Sequence, residues 1–195
     1  EDKQPVSNVS WLNAALFCNW LSRRDGLRPF YVIKYGNLLG FRPDSTGYRL
    51  PTEAEWEWAS KAKGGEKNTF IWGTEYPPPS QTGNFADESL KGDGEKIIDY
   101  NDGFTASSPV ASFVSNDKGL FDMDGNVAEW VHDFYSATPE TRPEQDPLGP
   151  IGGNSHVVKG SSWKSSSRAS LRSAYRTSKE KRASDLGFRI ARYAR

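Results

Sequence analysis

Apolar residues keep a helical rhythm through the first third of the chain and then lose it. Between Ser10 and Ser22, Trp11, Ala14, Ala15, Cys18 and Leu21 recur three or four positions apart, so they line one face of a helix that Ser10 is placed to cap. A second helix is expected after Pro51, where Thr52 and Glu55 have capping-box spacing. Ala54, Trp58, Ala59 and Ala62 form its expected inward stripe, and Gly64-Gly65 its end. Beyond this point short β-prone pieces, Phe70-Ile71-Trp72 and Val110 to Val114, stand between Gly, Pro, Asn and Asp. The long connections Gly73 to Asp102 and Tyr135 to Asn154 are of a kind that is usually functional, mobile or metal-tied. The ending, Asp185 to Arg192, alternates like a closing strand. A late strand returning to a sheet would join the C-terminus to the core, so residues 1–195 are read as a single folding unit.

Composition narrows the partners more than the chemistry. Lys plus Arg and Asp plus Glu are both 25, so no global field draws the protein to nucleic acid or a membrane surface. No apolar run approaches the length of a membrane span. Location is left open, an extracytoplasmic one included. Cys18, the only cysteine, excludes an intrachain disulfide, and its place on the apolar helix face predicts a buried structural thiol.

Four ordered segments carry a family resemblance: Pro5-Val6-Ser7-Asn8-Val9-Ser10-Trp11, Gly47-Tyr48-Arg49-Leu50-Pro51-Thr52-Glu53-Ala54-Glu55-Trp56-Glu57, Gly119-Leu120-Phe121-Asp122-Met123-Asp124-Gly125-Asn126-Val127-Ala128-Glu129-Trp130, and Leu186-Gly187-Phe188-Arg189. Together they resemble the formylglycine-generating enzyme, or sulfatase-modifying factor, family. The resemblance implies an α+β domain of C-type-lectin-like fold with little regular structure, here without the family's N-terminal strand region. Enzymatic members oxidise a substrate cysteine with copper held by two cysteines. The positions that match these in Gly160-Ser161-Ser162-Trp163-Lys164-Ser165-Ser166-Ser167-Arg168-Ala169-Ser170 are Ser165 and Ser170. A hydroxyl is a poor ligand for soft Cu(I) and supplies no thiolate, so neither copper nor the family's oxidation is expected.

Calcium is the metal the resemblance favours. One set maps onto Asn84, Phe85, Asp102 and Phe104, and a second onto Asp122, Gly125, Val127 and Glu129, all oxygen donors of the kind calcium takes. The alternative is that Asp102, Asp122 and Asp124 cap turns, as Asp routinely does. His132, Asp133 and His156 make a poor iron triad because neighbouring residues point differently in a strand. No nucleophile elbow and no phosphate-binding glycine pattern occurs.

The leading expectation is therefore a non-catalytic binding or assembly domain, facing a protein or other surface ligand. Its face would be Trp163, Lys164, Ser165, Ser167, Arg168, Ser170, Tyr175 and Arg176, where aromatic and Arg anchors sit among adaptable hydroxyls. Trp163 and Tyr175 could instead be core. A special form is the hypervariable ligand-binding protein of a diversity-generating retroelement, some of which share this fold. Ser165 to Ser170 and Tyr175 are types reachable by mutating adenines of asparagine codons, whereas Lys164, Lys179, Glu180 and Lys181 are not. The rival class is an oxidoreductase with altered metal chemistry, such as the domain found beside an iron-binding one in sulfoxide synthases.

Overall fold

Ser10 starts the first helix as the spacing requires, its side chain accepting from the Asn13 N–H in the computed structural model, which describes residues 3–61, 68–138 and 145–194. Helix α1 runs Trp11–Arg24 and buries Trp11, Ala14, Ala15, Cys18 and Leu21, the whole expected stripe. It also buries Asn19, whose amide donates to the Tyr31 carbonyl and accepts from the Tyr31 N–H at 2.9 and 3.1 Å. That pair docks strand β1, Tyr31–Lys34, on the helix. Strand β1 turns back antiparallel into β2, Asn37–Phe41, through Tyr35 and Gly36 at φ 51° and 77°. Two left-handed residues at a hairpin tip are the I′ pattern that matches strand twist. This hairpin was not expected from the sequence, although Tyr35-Gly36 between alternating residues was a signal for it.

Helix α2, Glu53–Ser60, begins with the expected capping box between Thr52 and Glu55. Its inward face is a correction. Trp56 and Ser60 are buried, while Trp58 is 69% exposed and Ala54 faces solvent. Two tryptophans two positions apart on a helix cannot both face inward, and tertiary partners choose between them. Trp56 donates its indole N–H to Glu129 at 2.7 Å and packs with Met123, Val131 and Val157. Ala62 and Gly64-Gly65 lie outside the described residues. The motif around α2 is a charge lattice: Arg49, 1% exposed, forks onto Glu55 with two 2.6 Å bonds, Lys159 meets Glu57 at 2.9 Å, and Arg176 meets Glu53 at 2.7 and 2.9 Å.

The main sheet has the order β5-β4-β3-β6, from β3 (Ala128–Phe134), β4 (His156–Lys159), β5 (Arg176–Lys179) and β6 (Leu186–Phe188). The closing strand is real but shorter than its alternating sequence, and it lies parallel to β3. Gly187 is needed there because a Cβ would stand 2.3 Å from the Val6 carbonyl oxygen. The pieces Phe70–Trp72 and Val110–Val114 form no strand. Phe70 makes only an isolated bridge to Gly73, and the 110–114 stretch finds single bonds to Lys3 and Gln81 instead of a ladder. Trp11, Ala14, Ala15, Cys18, Phe30, Tyr31, Leu50, Trp130, Val158 and Leu186 form the main core, and Phe70, Phe85, Ile97, Tyr100 and Leu171 form a second under the long loops.

Candidate functional site

The chain leaves β4 at Gly160 and runs as a serine-rich segment to β5. Its backbone is tied at several points. The Trp163 N–H donates to Asn126 O at 2.9 Å, Ala86 N–H donates to Ser165 O at 3.1 Å, and Tyr76 hydroxyl donates to Ser166 O at 3.3 Å. Leu171 is buried in the second core and anchors the far end. Ser162 Oγ donates to Asp185 at 2.8 Å, and Ser161, also buried, contacts Asp124.

The expected face separates into three groups. Lys164, Ser167, Arg168 and Tyr175 are exposed, and Arg168 covers the Tyr76 ring at 4.8 Å. Trp163, Ser165 and Ser170 are half-buried, so Trp163 is neither a free anchor nor core. Lys164 folds over the Trp163 ring at 4.8 Å and donates to Ser184 at 2.7 Å. Arg176 is a correction: it begins β5 and is spent on Glu53, the Ser136 carbonyl and the Tyr135 ring. A fork bound to a carboxylate in this way fixes α2 to the sheet and is not available to a ligand.

Hydroxyl chemistry finds no support in this segment. Ser165 Oγ accepts the Ser162 N–H at 3.0 Å, and Ser167 and Ser170 hydrogen-bond each other at 2.9 Å. The histidines are core groups: burial pushes His132 down to about 3 and His156 to about 4, and His156 stacks on Trp11 at 3.8 Å. Burial also pushes the Cys18 thiol up to about 12, so it carries no thiolate at neutral pH.

The two oxygen sets behave differently. In the first, Asn84 is fully buried, its amide nitrogen donates to Ala106 O at 2.7 Å, and its Oδ1 has no partner. Asp102 accepts the Phe85 and Phe104 N–H groups at 2.8 Å each, and the Asp87 carboxylate accepts the Asp102 N–H. Burial, with Asp87 adjacent, pushes the Asp102 carboxyl up to about 6. A buried amide oxygen without a partner is an acceptor of the kind a hard cation takes. Among the described residues no three His, Cys, Asp or Glu side chains converge on a metal position, so such a site depends on amide and carbonyl oxygens.

In the second set the side-chain oxygens of Glu129 and Asp122 are already engaged. Glu129 receives Arg189 on both oxygens at 2.6 Å and Trp56 at 2.7 Å. Arg189 also donates to the carbonyls of Phe121 and Asp122 at 3.2 and 3.0 Å. The guanidinium already holds the loop, and a divalent cation at Glu129 would be repelled by it. Asp122 caps the Ala111 N–H at 2.8 Å. Gly125, at φ 76°, is required because a Cβ would stand 2.5 Å from Asn84 O. Asn126 pairs both ways with the Ser108 backbone at 3.2 Å. Val127, like these, serves the packing of the turn, with its side chain buried. Arg189, Asp124 and Asp87 were not expected as site residues. Arg189 closes the Leu186-Gly187-Phe188-Arg189 motif, which was its only signal.

Comparison with known proteins agrees with this architecture. Residues 1–194 match the sulfatase-modifying factor enzyme 1-like domain. The formylglycine-generating enzyme of Mus musculus is 32% identical over 96% of this chain and 44% of its own length, so the chain spans less than half of that relative. The inactive C-alpha-formylglycine-generating enzyme 2 of Bos taurus is 31% identical over 96% of this chain and 50% of its own. Among solved structures, Treponema denticola variable protein 1 superimposes with a TM-score of 0.77 at 31% identity, covering 96% of this chain and 70% of that protein. With its buried Arg49–Glu55 fork, its Gly125-Asn126 turn and its α+β, loop-dominated fold, the chain belongs to the sulfatase-modifying factor, or formylglycine-generating enzyme, family.

Proposed function

We propose that this chain is a non-catalytic binding or assembly domain that offers Trp163, Lys164, Ser165, Ser167, Arg168, Ser170 and Tyr175 to a protein or other surface ligand. One observation carries the reading: the segment is held by its backbone while Lys164, Ser167, Arg168 and Tyr175 face solvent. Ser167, Arg168 and Tyr175 can meet a partner without giving up a long-range hydrogen bond, and Lys164 can do so by exchanging its bond to Ser184. The single cysteine, buried in α1, supports the absence of the oxidation, because a thiolate pair is what soft copper requires. That the family includes a protein named inactive agrees with this. Calcium held by Asn84, Phe85, Asp102 and Phe104 would stiffen the loops beneath the face, by neutralising Asp102 and satisfying the Asn84 oxygen.

The retroelement reading is a special form of the same proposal, favoured by likeness to a protein named variable. Its ligand-facing positions would be those from Ser165 to Ser170 and Tyr175. The test for the parent proposal pairs two assays. Incubation with a cysteine-containing sulfatase peptide, copper and oxygen should give no aldehyde by mass spectrometry. Arg168→Ala and Lys164→Ala should each weaken capture of a copurifying partner by about tenfold, on the order of 1.4 kcal/mol. Aldehyde product, or capture unchanged in both variants, defeats the proposal.

A further inference from the structure

A cleft of about 440 Å³ opens beside Trp72, between the 79–82 loop and the 114–117 and 122–124 turns. Its volume is that of a small-molecule site. No residue of the serine-rich segment lines it, so it is separate from the face described above. Three carboxylates, Asp117, Asp122 and Asp124, stand in its walls, and no Lys, Arg or His does among the described residues. Arg189 approaches Asp122 but spends its donors on Glu129 and on the carbonyls of Phe121 and Asp122.

Asp124 is the member that asks for a ligand. It is only 8% exposed, its Oδ1 is taken by Ser161, and its Oδ2 has no hydrogen-bond partner. A buried acceptor left unmade costs about 1–3 kcal/mol, and more when charged. A bound proton relieves that cost, and a positively charged ligand can replace the proton. The remaining wall is mixed: Asn68, Ser80, Gln81, Thr82, Ser115 and Asn116 are polar, while Ile71, Val114, Leu120 and Met123 form an apolar strip beside Trp72, whose N–H is spent on the Glu75 carbonyl at 3.0 Å. The apolar strip beside the carboxylates suits a cation that carries a hydrocarbon stem, whereas a bare ion would leave that strip uncovered. Asp122 moreover already accepts the Ala111 N–H.

We propose that this cleft binds a small organic cation, its primary ammonium pairing with Asp124 and Asp122 and its aliphatic stem lying on Trp72, Val114 and Met123. Titration calorimetry of the wild-type protein with hexylamine, hexanol and hexanoate tests the charge requirement without any variant. Hexylamine should bind about tenfold more tightly than either analogue. Asp124→Asn and Asp122→Asn, each checked for a cooperative melting transition no lower than that of wild type, should weaken hexylamine by about tenfold, and Trp72→Ala by about threefold. Equal binding of amine and alcohol, or amine binding retained in both Asp variants, overturns the proposal. So does calcium that competes with hexylamine and is lost in Asp124→Asn, because the site would then be inorganic.

Discussion

Helix α2 is held to the molecule by side chains, whereas the middle of the serine-rich segment, Trp163 to Ser166, is held chiefly by its backbone. Around α2 the contacts are long-range and charged: Glu53 with Arg176, Glu55 with Arg49, Glu57 with Lys159, and Trp56 with Glu129, itself bound by Arg189. Removing one partner there leaves a buried or half-buried group uncompensated, and this is costly in a low-dielectric interior. From Trp163 to Ser166 the long-range ties to the loops run through main-chain atoms of Trp163, Ser165 and Ser166, so a changed side chain leaves those ties standing, and the hydroxyl bonds of Ser165, Ser167 and Ser170 are local. The lesson is a division of labour: the charged partners of α2 and the buried ends of the segment, Ser161, Ser162 and Leu171, hold the fold, while exposed positions such as Ser167 and Arg168 can vary with little consequence for it.

The largest effect expected from that contrast is on the two tryptophans of α2. Trp56→Ala should cost about 3–5 kcal/mol, a cavity plus the loss of the indole bond to Glu129, which keeps Arg189. Trp58→Ala should stay within about 0.5 kcal/mol. Urea unfolding of the two variants measures both, and similar losses would erase the asymmetry assigned to the helix.

A middling effect is expected where the two regions meet, at Asp124 under Ser161. Burial raises the Asp124 carboxyl from 3.8 to about 7 in the folded protein. The native state therefore holds a proton that the unfolded state releases, and the charged form is penalised above pH 7. That penalty is relieved as pH falls through about 7 and is gone below about 4. Asp124→Asn should thus exceed wild type at pH 8 by on the order of 2 kcal/mol, with the advantage vanishing towards pH 4. Urea midpoints at pH 8, 6 and 4 read the trend. An advantage that grows on acidification would mean that the carboxylate is stabilised by its surroundings.

The smallest effects belong to the serine-rich segment itself. Ser167→Ala and Arg168→Ala should each shift stability by no more than about 0.5 kcal/mol. Thermal melts are sufficient, and a loss of several kcal/mol in either would show that this region too is held by its side chains.

Local patterns were legible wherever one element decides its own structure. The α1 stripe, the Ser10 cap and the Thr52–Glu55 box follow from spacings of three and four residues, and burial agrees with them. The Leu186–Phe188 strand was readable because alternation persists at the chain's end. The first oxygen set came from resemblance, and only the unpartnered Asn84 oxygen gives it a physical basis. The second set came the same way, but the sequence carried no sign that Arg189 reaches Glu129 across 60 positions.

Residue identity and short spacing are enough for the family, the two helix starts and the single cysteine of this chain. Long-range contacts settle which α2 tryptophan is buried, that Arg176 pairs with Glu53 123 positions away, and that Asp124 keeps an oxygen without a partner. Periodicity reports which face of a helix is apolar. It does not report what lies opposite that face, and the energy of a buried charge is set almost entirely by what lies opposite.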